Sequence, residues 1–133
     1  MTPTLTRRGY ELDGQRLPRV STILQTLAQP SLEAWKRKVG EEEAARVSKT
    51  ATALGTRIHA ATERWDRDGL MPYPGAEDLQ PYVSAYAGWR DATVAKIISI
   101  EHIVWSSTLR YAGTLDRLYR FHDGRLMLAD GVT

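Results

Sequence analysis

The stretch GTRIHAATE, residues 55–63, contains a histidine and a carboxylate at helical spacing. His59 and Glu63 are four residues apart, so a helix would project both side chains from one face. Together they could bind one metal ion or one phosphate, although exposed helix pairs with this spacing are more common. Gly55 has no side chain and would let the helix backbone approach a neighbouring strand closely. On its own, the pair does not point to one activity.

Two acids, Asp116 and Asp130, lie on the two strands of a predicted hairpin. A three-residue turn at 122–124 would place them directly opposite each other, whereas a two-residue turn at 123–124 would put them on different faces. Facing carboxylates about 4 to 5 Å apart repel by roughly 3 to 4 kcal/mol at an effective dielectric near 20. Mg²⁺ or Mn²⁺ would stabilise such a pair. The alternative is that both acids lie on a solvent-exposed face beside arginines of the same hairpin.

The elements that must position these residues follow an α+β order, with helices first and strands afterwards. A hairpin at about residues 9–18, with a tight Asp13-Gly14 turn, is predicted near the start. Three β-rich runs, at residues 97–107, 109–121 and 124–130, predict an antiparallel meander at the other end.

Helices are predicted between the hairpin and the meander. Ser21 or Thr22 would cap a short helix that ends near Ala28. Ser31 would cap the next helix, which could either continue through residues 41–49 or end at Gly40.

Helical periodicity continues at about residues 50–66 and 76–95. Pro81 is tolerated in the first turn of the second of these helices. Three side chains of that helix are expected to point inward: Val83, Tyr86 and Trp89.

Length and composition limit the classes of protein to consider. A chain of 133 residues is expected to form a single domain, residues 1–133. It has no cysteine, which excludes disulfides, thiolate zinc sites and iron–sulfur clusters, so oxygen and imidazole would bind any metal. No apolar run approaches the roughly 20 residues needed to cross a membrane, and residues 1–10 lack the apolar segment of a signal peptide. We therefore expect no membrane partner and a cytoplasmic location.

The net charge of +2 permits a polyanionic partner without requiring one. Seven basic residues in the first part of the chain could contact a phosphate backbone, although solvated helix faces carry similar runs. They are Arg7, Arg8, Arg16, Arg19, Lys36, Arg37 and Lys38.

Three motifs, taken in order, resemble the RecB-type branch of the PD-(D/E)XK nuclease superfamily. They are GTRIH on a helix, AGTLDRL on a strand and LMLAD on the next strand. The upstream stretches LPRVSTILQTL and SLEAWKRKVG are similar to the start of phage and prophage members, so the resemblance spans about residues 10–130. It implies an α/β, restriction-endonuclease-like core with helices packed on a small mixed or antiparallel sheet. Because relatives include phage and CRISPR-associated exonucleases, it also implies metal-dependent hydrolysis of DNA phosphodiester bonds.

The resemblance further implies roles for individual residues. His59, Asp116 and Asp130 would bind Mg²⁺ or Mn²⁺, and Glu101 matches an additional catalytic acid often found before this hairpin. Three neighbouring residues are expected to support these ligands: Gly55, Thr56 and Glu63. Four basic residues are the expected contacts with DNA, either single-stranded or at duplex ends: Arg37, Lys38, Arg57 and Arg117.

One position departs from the family pattern. Where the family has a lysine two residues after the second acid, this sequence has Val132, which can neither donate a proton nor hold a charge. Weak or absent activity is therefore expected unless Lys49 or Lys96 replaces that lysine. The pattern also implies a missing C-terminal strand and helix, which would expose a sheet edge that a second copy or a partner chain could complete.

Two other hypotheses remain open at the level of sequence. The chain could be a non-catalytic module on a nuclease fold that binds nucleic acid or a protein partner. Arginine and lysine replacements would then matter, and Asp116→Ala would not. Alternatively, it is a small α+β protein in which the histidine and the acids are incidental.

Overall fold

The computed structural model describes residues 2–27 and 29–130. They form helices and two small antiparallel three-stranded sheets, which confirms the predicted mixed fold class. The strands are β1 (Thr4–Thr6), β2 (Gly9–Leu12), β3 (Gln15–Leu17), β4 (Val94–Ser106), β5 (Tyr111–Phe121) and β6 (Leu126–Ala129). The helices are α1 (Val20–Leu24), α2 (Pro30–Val39), α3 (Glu41–Asp68) and α4 (Gln80–Thr93), with a 3₁₀ turn at Glu77–Leu79. None of the described helices is both long and apolar enough to cross a membrane.

The N-terminal sheet has the strand order β1-β2-β3. Its β2–β3 hairpin turns at Asp13 and Gly14, which both have positive φ angles, of 52° and 76°. Two such residues define the tight turn whose twist matches that of the flanking strands. The predicted hairpin is therefore confirmed, and Pro18 follows β3 as expected. The sequence did not predict β1.

The predicted helix caps are wrong. Arg19 precedes α1 and Gln29 precedes α2, and neither forms a side-chain capping hydrogen bond. The start of α1 is fixed instead by an isolated parallel bridge between Arg19 and Ala112. Pro30 occupies the first turn of α2, where its fixed φ suits a helix and its missing N–H costs nothing. The predicted end of this helix near Ala28 is also wrong, because α1 ends at Leu24 and residues 25–27 are not helical; Ala28 itself lies outside the described residues.

Helix α3 carries the histidine of the GTRIH motif and is longer than the sequence predicted. It begins after Gly40, whose φ of 89° interrupts the helical path, and it continues to Asp68. Its buried residues Ile58 and Ala61 pack against Leu79 and Val83. This apolar contact fixes the face of α3 that carries His59.

Helix α4 starts later than predicted, at Gln80, because residues 77–79 form a 3₁₀ turn. Pro81 lies in its first turn and Val83 is completely buried, as expected. Tyr86 is half-buried, but Trp89 is 44 % exposed, so its predicted inward position is wrong. The ring of Trp89 packs at 72° and 80° to the rings of Tyr119 and Phe121 on β5, with centroids 5.6 and 6.0 Å apart, and part of the indole stays exposed.

The β5–β6 connection uses a three-residue turn. The Phe121 amide donates to the Arg125 carbonyl over 2.9 Å, and Gly124, with a φ of 90°, donates to the Phe121 carbonyl. The last observed pair in the ladder is Arg117 with Ala129. One further step in this register is Asp116 with Asp130, so the three-residue alternative is confirmed.

The N-terminal sheet packs on the second sheet near the AGTLDRL motif. Tyr10, Leu12 and Leu17 form one buried cluster with Ala112 on β5. A methyl group at Gly113 would lie 3.1 Å from a Val20 methyl carbon, which is tighter than ordinary packing. The small Ala-Gly pair therefore lets α1 and the N-terminal sheet approach β5 closely.

Candidate metal centre

Three side chains from three different elements converge at one place. His59 comes from α3, Glu101 from β4 and Asp116 from β5. One potential ligand atom from each lies within 4.8 Å of the other two. By register, Glu101 faces Asp116, because the flanking pairs are Ile100 with Arg117 and His102 with Leu115. The meander therefore brings the two acids together, and α3 places the imidazole beside them.

The imidazole of His59 lies between carboxylates. Its Nε2 is 3.1 Å from Glu101 Oε1 and 3.6 Å from Glu63 Oε2, and its Nδ1 is 3.4 Å from Asp116 Oδ2. A neutral imidazole has one N–H and can donate to only one side. A cation at this position, either an imidazolium or a metal ion, would satisfy the carboxylates on both sides. The cluster therefore has the charge distribution of a cation site.

The separations suit a small divalent ion. In octahedral coordination with bonds of about 2.1 Å, neighbouring ligand atoms lie about 3.0 Å apart and opposite ones about 4.2 Å apart. The 3.1 Å between His59 Nε2 and Glu101 Oε1 is close to the distance between neighbouring ligand atoms. All three potential ligand atoms lie within 4.8 Å of one another, so small side-chain movements would bring them to the distance between opposite ligand atoms. The three side chains are 14 to 39 % exposed, so water can fill the remaining coordination positions.

Glu101 has a strained backbone in the middle of a strand. Its φ is 58°, in the left-handed region. For a residue with a side chain this conformation costs about 1 to 2 kcal/mol. The strain falls on one of the three candidate metal ligands, and strain of this kind is characteristic of functional positions. In this conformation the Glu101 carboxylate lies beside His59.

Asp130 is the one predicted metal ligand outside the cluster. Its side chain is exposed, and it lies one residue beyond the last β5–β6 pair. It borders two cavities, of about 240 and 620 Å³, on either side of the end of β6. By register, Glu101, Asp116 and Asp130 form a row across β4, β5 and β6, which we call the acid row. Asp130 is at one end of it, and the described ion pairs of His59 are with other acids.

The predicted supporting residues differ in what they contact. Glu63 lies beside His59 and accepts a 2.7 Å hydrogen bond from Arg67, which orients its carboxylate. Thr56 is exposed and donates to the Thr52 carbonyl within α3. Gly55 is partly buried in the same helix. Among the three, Glu63 is thus the residue with a direct contact to the cluster.

The four predicted DNA contacts are not equivalent. Arg37 and Lys38 are exposed on α2, as a phosphate contact requires. Arg57 is exposed but forms a two-pronged ion pair with Asp78, at 2.9 and 3.0 Å. Arg117 has no exposed surface at all, which corrects the expectation that it contacts DNA.

Sequence reasoning missed a buried polar network centred on Asp66. This carboxylate accepts hydrogen bonds from Arg117 at 2.7 Å, Arg90 at 2.8 Å and the Tyr86 hydroxyl at 2.5 Å. The Tyr86 hydroxyl also lies 2.6 Å from that of Tyr119. Burial, together with the neighbouring carboxylate, raises the pKa of Tyr86 far above its ordinary value, so the phenol stays protonated and remains a donor. Asp66 lies two helical turns after His59 in α3, so both residues lie on about the same side of the helix. This spacing was the signal in the sequence that could have pointed to Asp66.

The Asp66 network is connected to the candidate metal site through Arg117. The Nη1 group of Arg117 donates to the main-chain carbonyl of Asp116 over 2.9 Å, while Nε donates to Asp66. Asp66 and His59 belong to one helix, and Arg117 and Asp116 are adjacent on β5. The buried ion pair thus ties α3 to β5 at the point where they supply two of the three cluster residues.

Neither lysine proposed as a substitute adjoins the cluster. Lys49 is ten residues before His59 in α3, about 15 Å along the helix axis. Lys96 is five residues before Glu101 in β4, about 16 Å along the strand. Val132, which occupies the family's lysine position, lies outside the described residues.

Comparison with known proteins adds no assignment. No protein-family model matches the sequence, and no curated protein matches it significantly.

Proposed function

We propose that this chain is a metal-dependent nuclease domain that hydrolyses phosphodiester bonds of DNA, related to the RecB-type branch of the PD-(D/E)XK superfamily. The observation that carries the proposal is the convergence of His59, Glu101 and Asp116 from three elements. The resemblance of the GTRIH, AGTLDRL and LMLAD motifs supports it, because these motifs contribute the histidine and both hairpin acids. The strained backbone of Glu101 supports it independently of that resemblance.

Each residue has a role that follows from its contacts. A bound divalent ion would stabilise charge on the phosphate and lower the pKa of a water molecule. Glu101 and Asp116 supply the negative charge that holds the ion, and His59 supplies a nitrogen donor. Glu63 orients the imidazole and is itself held by Arg67. Asp130 is exposed at the end of the acid row, where it can accept a proton or hydrogen-bond a water molecule.

The donor set favours Mn²⁺ over Mg²⁺. Carboxylates suit both ions, but an imidazole nitrogen binds transition metals better than it binds Mg²⁺. Mg²⁺ also loses its water reluctantly and is usually held by only one or two carboxylates. Activity should therefore be higher in Mn²⁺ than in Mg²⁺ at equal concentration.

The test is cleavage of end-labelled single-stranded and duplex DNA by the purified chain in Mn²⁺, Mg²⁺ and EDTA. Asp116→Asn removes one cluster acid with almost no change of shape, and cleavage should be lost. Asp91→Asn is the matched control, because Asp91 is an exposed acid at the end of α4. DNA cleavage by this variant should equal cleavage by the wild type. Equal cleavage by both variants would contradict the proposal. So would absence of cleavage by a folded wild-type chain that binds the metal.

A non-catalytic nucleic-acid-binding module is the second candidate. The observation that favours it is the distance of Lys49 and Lys96 from the cluster, because loss of one preorganised charged group commonly lowers an enzymatic rate by about 10² to 10³. The same assay separates the two candidates. A binding module would retain DNA without cutting it, and its affinity would be the same in the Asp116→Asn variant as in the wild type.

A further inference from the structure

Three arginines line one cavity on the N-terminal sheet, away from the metal cluster. The cavity has a volume of about 310 Å³, and its lining includes Arg8, Arg16, Arg19 and Leu17. Gly9 forms part of the cavity wall, and its φ of 109° disfavours any side chain there. A methyl group at this position would be in ordinary contact with Arg19 Nε, at 3.6 Å, and Arg16 Nε, at 3.9 Å.

The three guanidinium groups lack an anionic partner within the described part of the chain. None of them forms an ion pair there, and no described acid lines the cavity. Glu11 lies across from Arg16 in the β2–β3 ladder but does not pair with it. Converging cations repel each other and attract an anion, and guanidinium groups match the geometry of phosphate oxygens in particular.

One arginine of this cluster also lines a second cavity. The lining of this cavity, of about 240 Å³, includes Arg19, Asp130 and Leu115, the neighbour of Asp116. The backbone of Arg19 pairs with Ala112, which lies four residues, or about 13 Å along β5, before Asp116. Phosphates on one strand of B-form DNA advance by about 3.4 Å each, so a few nucleotides would cover this distance.

We propose that Arg8, Arg16 and Arg19 form a phosphate-binding site that holds the backbone of a nucleic-acid strand a few nucleotides from the phosphodiester at the metal cluster. This assignment rests on the proposed nuclease function and specifies its substrate path. It also replaces Arg117 as a DNA contact, because these three arginines are exposed whereas Arg117 is buried.

The test compares two double variants with the same loss of charge. Arg8→Ala with Arg16→Ala removes two groups of the cluster, and Arg46→Ala with Arg125→Ala removes two exposed arginines that pair with nearby acids elsewhere. Binding of a labelled oligonucleotide of about 16 nucleotides is measured by fluorescence anisotropy in EDTA between about 50 and 200 mM NaCl. All of these side chains are exposed, and equal melting temperatures would establish that both variants fold.

The cluster variant should bind more weakly, and its slope of log affinity against log salt should be shallower by about 1.4 to 1.8, since each phosphate contact contributes about 0.7 to 0.9. The control variant should keep the wild-type slope. Equal affinities and slopes for the two variants would overturn the proposal. So would a cluster variant that loses binding to heparin while keeping binding to DNA, because the occupant would then be a different polyanion.

Failure of this site and failure of the nuclease proposal give different results. Cleavage that depends on Asp116, combined with unchanged binding in the cluster variant, would reject the arginine site alone. Weakened binding in the cluster variant, combined with no cleavage by the metal-bound wild type, would reject hydrolysis and leave the phosphate site supported.

Discussion

The buried ion pair between Asp66 and Arg117 should be among the most sensitive points of the fold. Both side chains are 0 % exposed. Asp66→Asn keeps the shape of the side chain but removes its charge, which leaves the guanidinium of Arg117 buried without a counterion. Breaking a buried pair in this way costs about 3 to 5 kcal/mol. Domains of this size are stable by only about 5 to 15 kcal/mol, so the loss should be a large fraction of the total.

Two further variants isolate the role of burial. Asp78→Asn breaks the ion pair between Asp78 and Arg57, in which both side chains are about half exposed, and should leave the free energy of unfolding close to that of the wild type. The double variant Asp66→Asn with Arg117→Met removes the unpaired charge as well and should be more stable than Asp66→Asn alone. A double variant that folds would also show that failure of Asp66→Asn to fold comes from the orphaned charge.

The assay is equilibrium unfolding in urea, followed by tryptophan fluorescence and circular dichroism, with the free energy of unfolding obtained by linear extrapolation. The ranking expected from the structure places Asp66→Asn well below the double variant, and Asp78→Asn near the wild type. A cost for Asp66→Asn equal to that for Asp78→Asn would refute the reasoning. A double variant less stable than Asp66→Asn would refute it too, since the cost would then not come from an unpaired charge.

Three other predictions concern the candidate metal site and its support. Mn²⁺ at 100 times its dissociation constant should raise the free energy of unfolding of the wild type by about 2.7 kcal/mol, which corresponds to a rise in melting temperature of about 10 °C. Differential scanning calorimetry should show this rise for the wild type and no rise for Asp116→Asn. Glu101→Gly should relieve the strain of the left-handed backbone at this position and raise the free energy of unfolding without metal by about 0.5 to 1 kcal/mol. The same variant should show no Mn²⁺ binding in a calorimetric titration. Asp13→Gly, which relieves the same kind of strain in the hairpin turn, should be neutral or stabilising and keep Mn²⁺ binding; loss of binding in both would contradict this. Gly113→Ala should lower stability in urea by about 1 to 3 kcal/mol because its methyl group would press on Val20, and Val20→Ala should restore part of the loss; a neutral Gly113→Ala would show that the contact is loose.

The sequence was most informative where local chemistry decides the structure. Gly124 can adopt the positive φ of a three-residue turn, and this turn alone fixes the register that aligns Asp116 with Asp130. The Asp13-Gly14 turn is predictable for the same reason. For the Asp13-Gly14 turn, two adjacent residues predict the backbone. For the β5–β6 turn, the local residues limited the choice to two registers, and the observed ladder decided between them.

Prediction failed where the answer depends on contacts between distant residues. Strand alternation does not reveal that Arg117 is enclosed, because its partner Asp66 lies 51 positions earlier in the chain, on a helix. The start of α1 follows from pairing of Arg19 with Ala112 on a strand far along the sequence, so local capping signals at Ser21 and Thr22 were misleading. The proximity of Glu101 to His59 also arises from distant packing, of α3 on the meander, but here the family resemblance had already placed Glu101 with His59 and Asp116.

The most direct test of the account is the location of Mn²⁺ in crystals of the chain soaked with MnCl₂. We expect an anomalous difference peak with a nitrogen of His59 and carboxylate oxygens of Glu101 and Asp116 at bonding distance, about 2.0 to 2.3 Å. The peak should be absent in crystals of Asp116→Asn prepared in the same way. A peak held by other side chains, or none in a wild-type chain that binds Mn²⁺ in solution, would contradict the central claim that these three residues form a metal centre.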